Sequence, residues 1–153
     1  MAVPSLYEWI GGAPMLEKVI GELYRRVPND ELLAPIFARM SSDHVAHVAA
    51  FVGEVFGGPK VYTEQHGGHA NMIRHHLDRN LTEAHRKRWM QLLFECADDL
   101  GMPSDPEFRS SAIAYFEWGS RLAVINSQPG AAADENQPMP TWGWGETKGP
   151  YQP

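Results

Sequence analysis

Apolar residues recur along this chain at helical spacing, and strand-like alternation is scarce. Leu16, Val19, Ile20, Leu23, Tyr24 and Val27 follow i, i+3, i+4, i+7, i+8 and i+11, one stripe of a helix. Gly11-Gly12 breaks a short helix that begins near Ser5, Pro14 suits a first helical turn, and Pro28-Asn29 ends the segment. A short helical piece is predicted over 30–37. The next helix starts at Ser42 or Asp43, both good N-caps, and runs to Phe56 on the stripe Val48, Phe51, Val52, Val55, with His44 one turn before Val48. Gly57-Gly58-Pro59 stops it. Thr82 caps a long helix with Trp89, Leu92, Leu93, Cys96, Ala97 and Leu100 on its apolar face. Asp105-Pro106 opens a last helix carrying Tyr115, Trp118, Leu122 and Ile125.

Between these helices lies FGGPKVYTEQHGGHANMIRHHLDRNLTEAHRKRW, residues 56–89, which holds five of the seven histidines. Its first half is too rich in glycine to be predicted as a helix, and 72–76 is predicted to form one or two helical turns. A loop this long inside a compact domain is either functional or disordered. This one delivers the pair His75-His76, so it reads as a device for placing an imidazole.

Composition narrows the function classes. At 153 residues the chain is read as one domain able to bury a sizeable core. The formal net charge of −6 argues against nucleic acid, and Arg86-Lys87-Arg88 reads as a solvated helix face. The single cysteine, Cys96, precludes internal disulfides and fits a reducing compartment. No apolar stretch reaches membrane-span length, and no signal-peptide pattern opens the chain, so the expected location is the cytoplasm. Residues 1–127 are read as the folded domain and 128–153 as a tail. Composition reads that tail as disordered. Trp142, Trp144 and Tyr151 favour an extended arm lying on its own domain or on a partner.

Two kinds of site suit the histidines. His44 and His47 lie one turn apart, compatible with a shared non-haem metal completed by a loop histidine, although the chain lacks HExxH and a cysteine cluster. A haem pocket asks instead for one neutral imidazole, an apolar wall and a few hydrogen-bond donors. Tyr24 and Trp89 on two stripes, with His44 on a third, supply three such donors. A third reading is a haem-free helical module whose aromatic tail binds a partner.

The run LYEWIGGAPMLEKVIGELYRRVPNDELLAPIF, then FxxxVFGGPKVYTEQHGGH, then MIRHH followed by a tryptophan, resembles the truncated haemoglobins, group II in particular. The resemblance covers residues 6–127. It implies an all-α two-over-two globin sandwich around haem b, with a proximal histidine in the His75-His76 pair. Counting back thirteen residues from Trp89 gives His76 as the expected ligand; the RH dipeptide of some relatives would favour His75. By the same resemblance Tyr24, Phe37, His44, Val48 and Trp89 are distal-side residues. Phe37 stands where some relatives carry a second tyrosine, and His44 where many carry alanine. Arg74, Lys60 and more weakly Tyr62 are candidates for the haem propionates. His66, His69 and His85 become surface residues. The implied function is high-affinity binding of O2, CO or NO. Three donors suit redox or nitric oxide detoxification chemistry better than bulk oxygen delivery. Dioxygenase or peroxidase-like turnover would need an external reductase, since no flavin or nicotinamide fingerprint is present. Direct binding of iron by His44 and homodimer formation both stay open.

Overall fold

The stripe on the first long helix buries one face as its spacing predicts. In the computed structural model, which describes residues 2–132 and 136–153, α2 (Ala13–Arg26) buries Leu16, Val19, Ile20, Leu23 and Tyr24. Ahead of it, α1 (Leu6–Ile10) starts at a capping box in which Ser5 and Glu8 satisfy each other's backbone N–H. Gly11, at φ 101°, ends α1 in the left-handed conformation. Then come α3 (His44–Val55), α4 (Val61–Gln65), α5 (Gly68–His76), α6 (Glu83–Asp99) and α7 (Pro106–Asn126). α2 packs on α3 and α6 on α7, α2 also touches α6, and α5 rests on α7. This is the expected two-over-two all-α arrangement, and no strand occurs among the described residues.

Three stretches differ from the sequence expectation. Residues 30–37 form consecutive turns, not a helical piece. The Asp30 carboxylate accepts from the N–H groups of Leu32 and Leu33, but Pro35 brings no N–H to continue a ladder. The glycine-rich stretch, expected to be a loop, contains α4 and most of α5. Buried Glu54 organises α4 by accepting from both the backbone N–H and the hydroxyl of Thr63. Gly67 and Gly68, at φ 85° and 65°, turn the chain into α5 through a conformation closed to most other residues. Finally, Trp118 and Ile125 of α7 are exposed rather than on the core face.

The helix ends follow local chemistry. Thr82 and His85 form the capping box of α6, and Asp105 accepts from the Phe108 N–H at the start of α7. Arg86, expected in a solvated run, is buried and bonded to Glu83 and Glu117.

The described part of the tail lies on its own domain as an extended arm. Trp144 is 8% exposed, its indole N–H donates to the Pro4 carbonyl (2.7 Å), and its ring meets Trp9 edge-on. The Trp142 N–H donates to the Val55 carbonyl (2.8 Å) at the end of α3. Tyr151 remains exposed.

The turn after α3 is the tightest point of the packing. A Cβ added at Gly58 would lie 2.7 Å from the Tyr7 ring and 2.8 Å from the Gly53 carbonyl oxygen, so backbone must move. Gly58→Ala is expected to cost about 1–3 kcal/mol in urea unfolding of the apoprotein. An unchanged midpoint would mean that this turn relaxes freely.

Candidate functional site

A cavity of about 450 Å³ opens between α2, α3, α5, α6 and α7. That is the size of a small-molecule or cofactor site. Its walls are mostly apolar, with Phe37, Val48, Phe51, Ile73 and Phe116 among the lining side chains.

α5 brings His76 to this cavity. The imidazole Nδ1 lies 2.9 Å from the Met72 carbonyl oxygen, one turn earlier. A carbonyl only accepts, so Nδ1 carries the proton and Nε2 keeps its lone pair for another partner. Burial holds the ring's pKa below the ordinary histidine value, so the neutral, ligating form is favoured. His75 differs. It is exposed at the cavity edge, and its recorded bond is a backbone one, its carbonyl accepting from Arg79 Nε.

Three other helices bring polar aromatics together. The Trp89 indole N–H on α6 donates to the Tyr24 hydroxyl on α2 (3.3 Å), which leaves the phenol proton for a further acceptor. Burial pushes the Tyr24 pKa up to about 12, although the Trp89 bond opposes the shift, so the phenol stays a donor. His44 at the start of α3 stands edge-on to Tyr24 with ring centroids 4.5 Å apart, and Phe37 packs against both. His44 Nε2 is buried and has no hydrogen-bond partner in the protein. A buried orphan of this kind is uncommon and points to a group that the protein chain does not itself supply.

The remaining candidates scatter. Tyr62 lines the cavity, fully buried, and its hydroxyl accepts from Asn71 Nδ2 (3.3 Å). Lys60 and Arg74 are not among the lining residues; the guanidinium groups there belong to Arg39, Arg79 and Arg86. His69, expected at the surface, is buried with Nδ1 3.1 Å from the Pro138 carbonyl. His85 is half-buried and lines the cavity, its Nδ1 accepting from the Thr82 N–H. His47 pairs with Asp43 and stacks near His66, apart from the Tyr24–Phe37–His44 cluster. Among the described residues no three His, Cys, Asp or Glu side chains converge on a metal position. The His44–His47 pair therefore does not come together as a shared non-haem site.

The bacterial-like globin pattern matches residues 5–118. The chain belongs to the bacterial-like globin family. It is 29% identical over 122 residues to the Group 2 truncated hemoglobin YjbI of Bacillus subtilis, covering 80% of this chain and 89% of that one. It is 43% identical over 82 residues to the Group 1 truncated hemoglobin GlbN of Nostoc sp. (strain MUN 8820), covering 53% of this chain. That match spans 65% of the Nostoc protein's length. Among solved structures, the truncated oxygen-avid haemoglobin of Bacillus subtilis superposes with a TM-score of 0.70 at 27% identity, covering 79% of this chain and 99% of that one. The group II truncated hemoglobin of Bacillus anthracis, at 23% identity and a TM-score of 0.73, shows the same fold and covers 86% of this chain and 98% of that one. The family and the fold support haem binding by this truncated globin. The cavity fits such a group: an imidazole with a free Nε2, apolar walls, a buried orphan imidazole nitrogen and arginines in its lining.

A pH dependence follows for the apoprotein. Burial, helped by neighbouring positive charge, holds the His44 pKa at about 4, below its ordinary 6.5. Between these values the unfolded chain binds a proton that the folded chain refuses, so stability falls as pH drops from 6.5 towards 4. His76 shifts in the same direction. In this truncated globin, His44→Phe is expected to flatten the unfolding free energy against pH across that window relative to the unaltered chain. Parallel curves would show that His44 titrates freely when folded.

Proposed function

We propose that this truncated globin binds haem b through His76 Nε2 and holds a diatomic ligand, O2, CO or NO, tightly beside Tyr24, Trp89 and His44. The observation that carries the reading is the His76–Met72 bond. It fixes the tautomer whose Nε2 is free to ligate iron and orients the ring at the cavity wall. When bound, haem supplies an iron that accepts a diatomic ligand and changes its charge by one electron.

The chain's own groups set how that ligand is treated. The Tyr24 phenol and the neutral His44 offer O–H and N–H donors in a space shielded from water, and Trp89 fixes the phenol's direction. Hydrogen bonds to a ligand that carries partial negative charge are stronger than neutral ones, so release is slowed. Phe37 and Val48 wall the same space without adding donors. Arg39 and Arg79, which line the cavity, join Lys60 and Arg74 as candidate partners for the haem propionates. Slow release suits redox chemistry on the ligand, such as nitric oxide detoxification, better than bulk oxygen delivery. The related Bacillus subtilis globin is described as oxygen-avid. Turnover requires an external reductase.

Reconstituted protein is expected to show a Soret band that shifts with carbon monoxide; no band would sink the reading. His76→Gly should abolish the iron–imidazole vibration and His75→Gly should keep it. The reverse pattern would move the ligand to His75. Tyr24→Phe and Trp89→Phe should each speed oxygen dissociation by roughly tenfold, as loss of a charge-assisted hydrogen bond implies. Unchanged rates in both would reduce these aromatics to packing.

A further inference from the structure

We propose that the C-terminal arm is a strap that positions α5, and that His69, held by the Pro138 carbonyl, is a positioning residue for the His76 imidazole. The inference rests on the reading of His76 as the haem ligand.

α5 has little to hold it in place by itself. It is nine residues long, shorter than a helix that is stable alone, and no side chain caps its N-terminus. It begins with two left-handed glycines. Yet its cavity face, His69, Ile73 and His76 at i, i+4 and i+7, must keep one orientation for the imidazole to be presented reproducibly. Tertiary contacts have to supply that orientation.

Both ends of the segment are held by chain beyond residue 118, where the family match stops. Past the C-terminal end of α5, Ser127 accepts the Asn80 N–H on its carbonyl (2.7 Å) and the Leu81 N–H on its hydroxyl (2.9 Å). Gln128 Nε2 adds a bond to the Leu81 carbonyl (2.9 Å). At the N-terminal end, the His69 Nδ1–H donates to the Pro138 carbonyl (3.1 Å), a contact made by the arm. His69 is 8% exposed and sits two turns before His76 on the same face.

The arm is itself firmly registered, so the Pro138 carbonyl is a fixed acceptor. Trp142 bonds Val55 and lies against Tyr115 and Trp118 of α7, with ring centroids at 5.6 and 5.8 Å. The Ser111 hydroxyl of α7 donates to the Trp144 carbonyl (3.2 Å), and Trp144 reaches Pro4. Between these anchors, Pro138 and Pro140 stiffen the backbone. The arm also walls a groove that runs into the haem cavity: His69, Ile73, Trp118, Leu122, Asn126 and Pro140 line both spaces. A displaced arm would therefore loosen α5 and open that side of the cavity to water.

The test compares the full chain with a chain ending at Gly130, with His69→Phe, which keeps bulk but loses the donor, and with His69→Asn, which restores an N–H. Three quantities are read: the iron–histidine stretching band of the ligand-free ferrous protein, the rate of haem transfer to excess apomyoglobin, and amide exchange over 68–76 in the apoprotein. His69→Phe should shift and broaden the band and speed both haem loss and exchange by about fivefold, the factor of one net hydrogen bond. The shortened chain should move further in the same direction, and His69→Asn should return towards the full chain. If the shortened chain does not fold, the two His69 variants decide the matter. A band and rates in His69→Phe equal to those of the full chain would overturn the strap and leave the haem reading standing. No iron–imidazole band in the unaltered chain, or one that survives His76→Gly, would sink the haem reading and this inference with it.

Discussion

One hydrogen bond sets the terms for the site: His76 Nδ1–H to the Met72 carbonyl, formed within α5 itself. It exists only while residues 72–76 are helical, because the acceptor lies one turn back on the same face. Any unwinding of α5 releases the ring, exposes either nitrogen and loses the tautomer. The demand then passes outward. α4 must be placed so that the chain can enter α5, which buried Glu54 does by accepting from Thr63. The turn after α5 must be closed, which Ser127 does from the end of α7. A nine-residue helix thus governs features spread over much of the sequence.

The same wall chemistry explains why the polar aromatics sit where they do. Tyr24, His44 and Trp89 occupy positions on helix stripes that would otherwise be aliphatic, and each brings a polar atom into a dry space. Burying such an atom is costly without a partner. Trp89 and Tyr24 offset part of that cost with each other, while His44 Nε2 remains unpaired. Burial pushes the phenol up and the imidazole down, and both shifts keep the groups neutral and able to donate. A plain core would gain stability from replacing all three. A polar group entering the cavity would give His44 Nε2 the partner that the protein does not supply.

Much of this was legible in the sequence because it is local. The stripes of α2, α3 and α6, the Thr82 and Asp105 caps and the glycine stop after Phe56 are read from neighbours within a few turns, and His44 falls on the stripe one turn before Val48. What was not legible depends on contacts across long separations. The start of α5 was hidden because Gly67 and Gly68 argue against a helix by propensity, whereas their positive φ is what starts it; only its 72–76 part was expected. His69 reads as a surface histidine until residue 138 lies over it. Arg39 and Arg79 were not singled out in the sequence, because their place in the cavity lining is set by the path of the chain around them. The arm was half legible: its composition says disorder, its tryptophans say an arm, and the seats for Trp142 and Trp144 on distant helices decide between them.

These long-range contacts answer a problem that a short haem protein creates for itself. A cavity of about 450 Å³ in a chain of 153 residues removes packing partners from the middle of the core. The lining of an empty space forfeits the dispersion contacts that stabilise an ordinary interior. Such a domain is weakened along the walls of the cavity, α5 among them, and a ligand that binds only the folded state restores stability by mass action. The arm adds burial beside the cavity: Pro140 reaches its wall, while Trp142 and Trp144 seat on α7 and α1. Stability is thus recovered outside the site, and the space that the cofactor needs is left open.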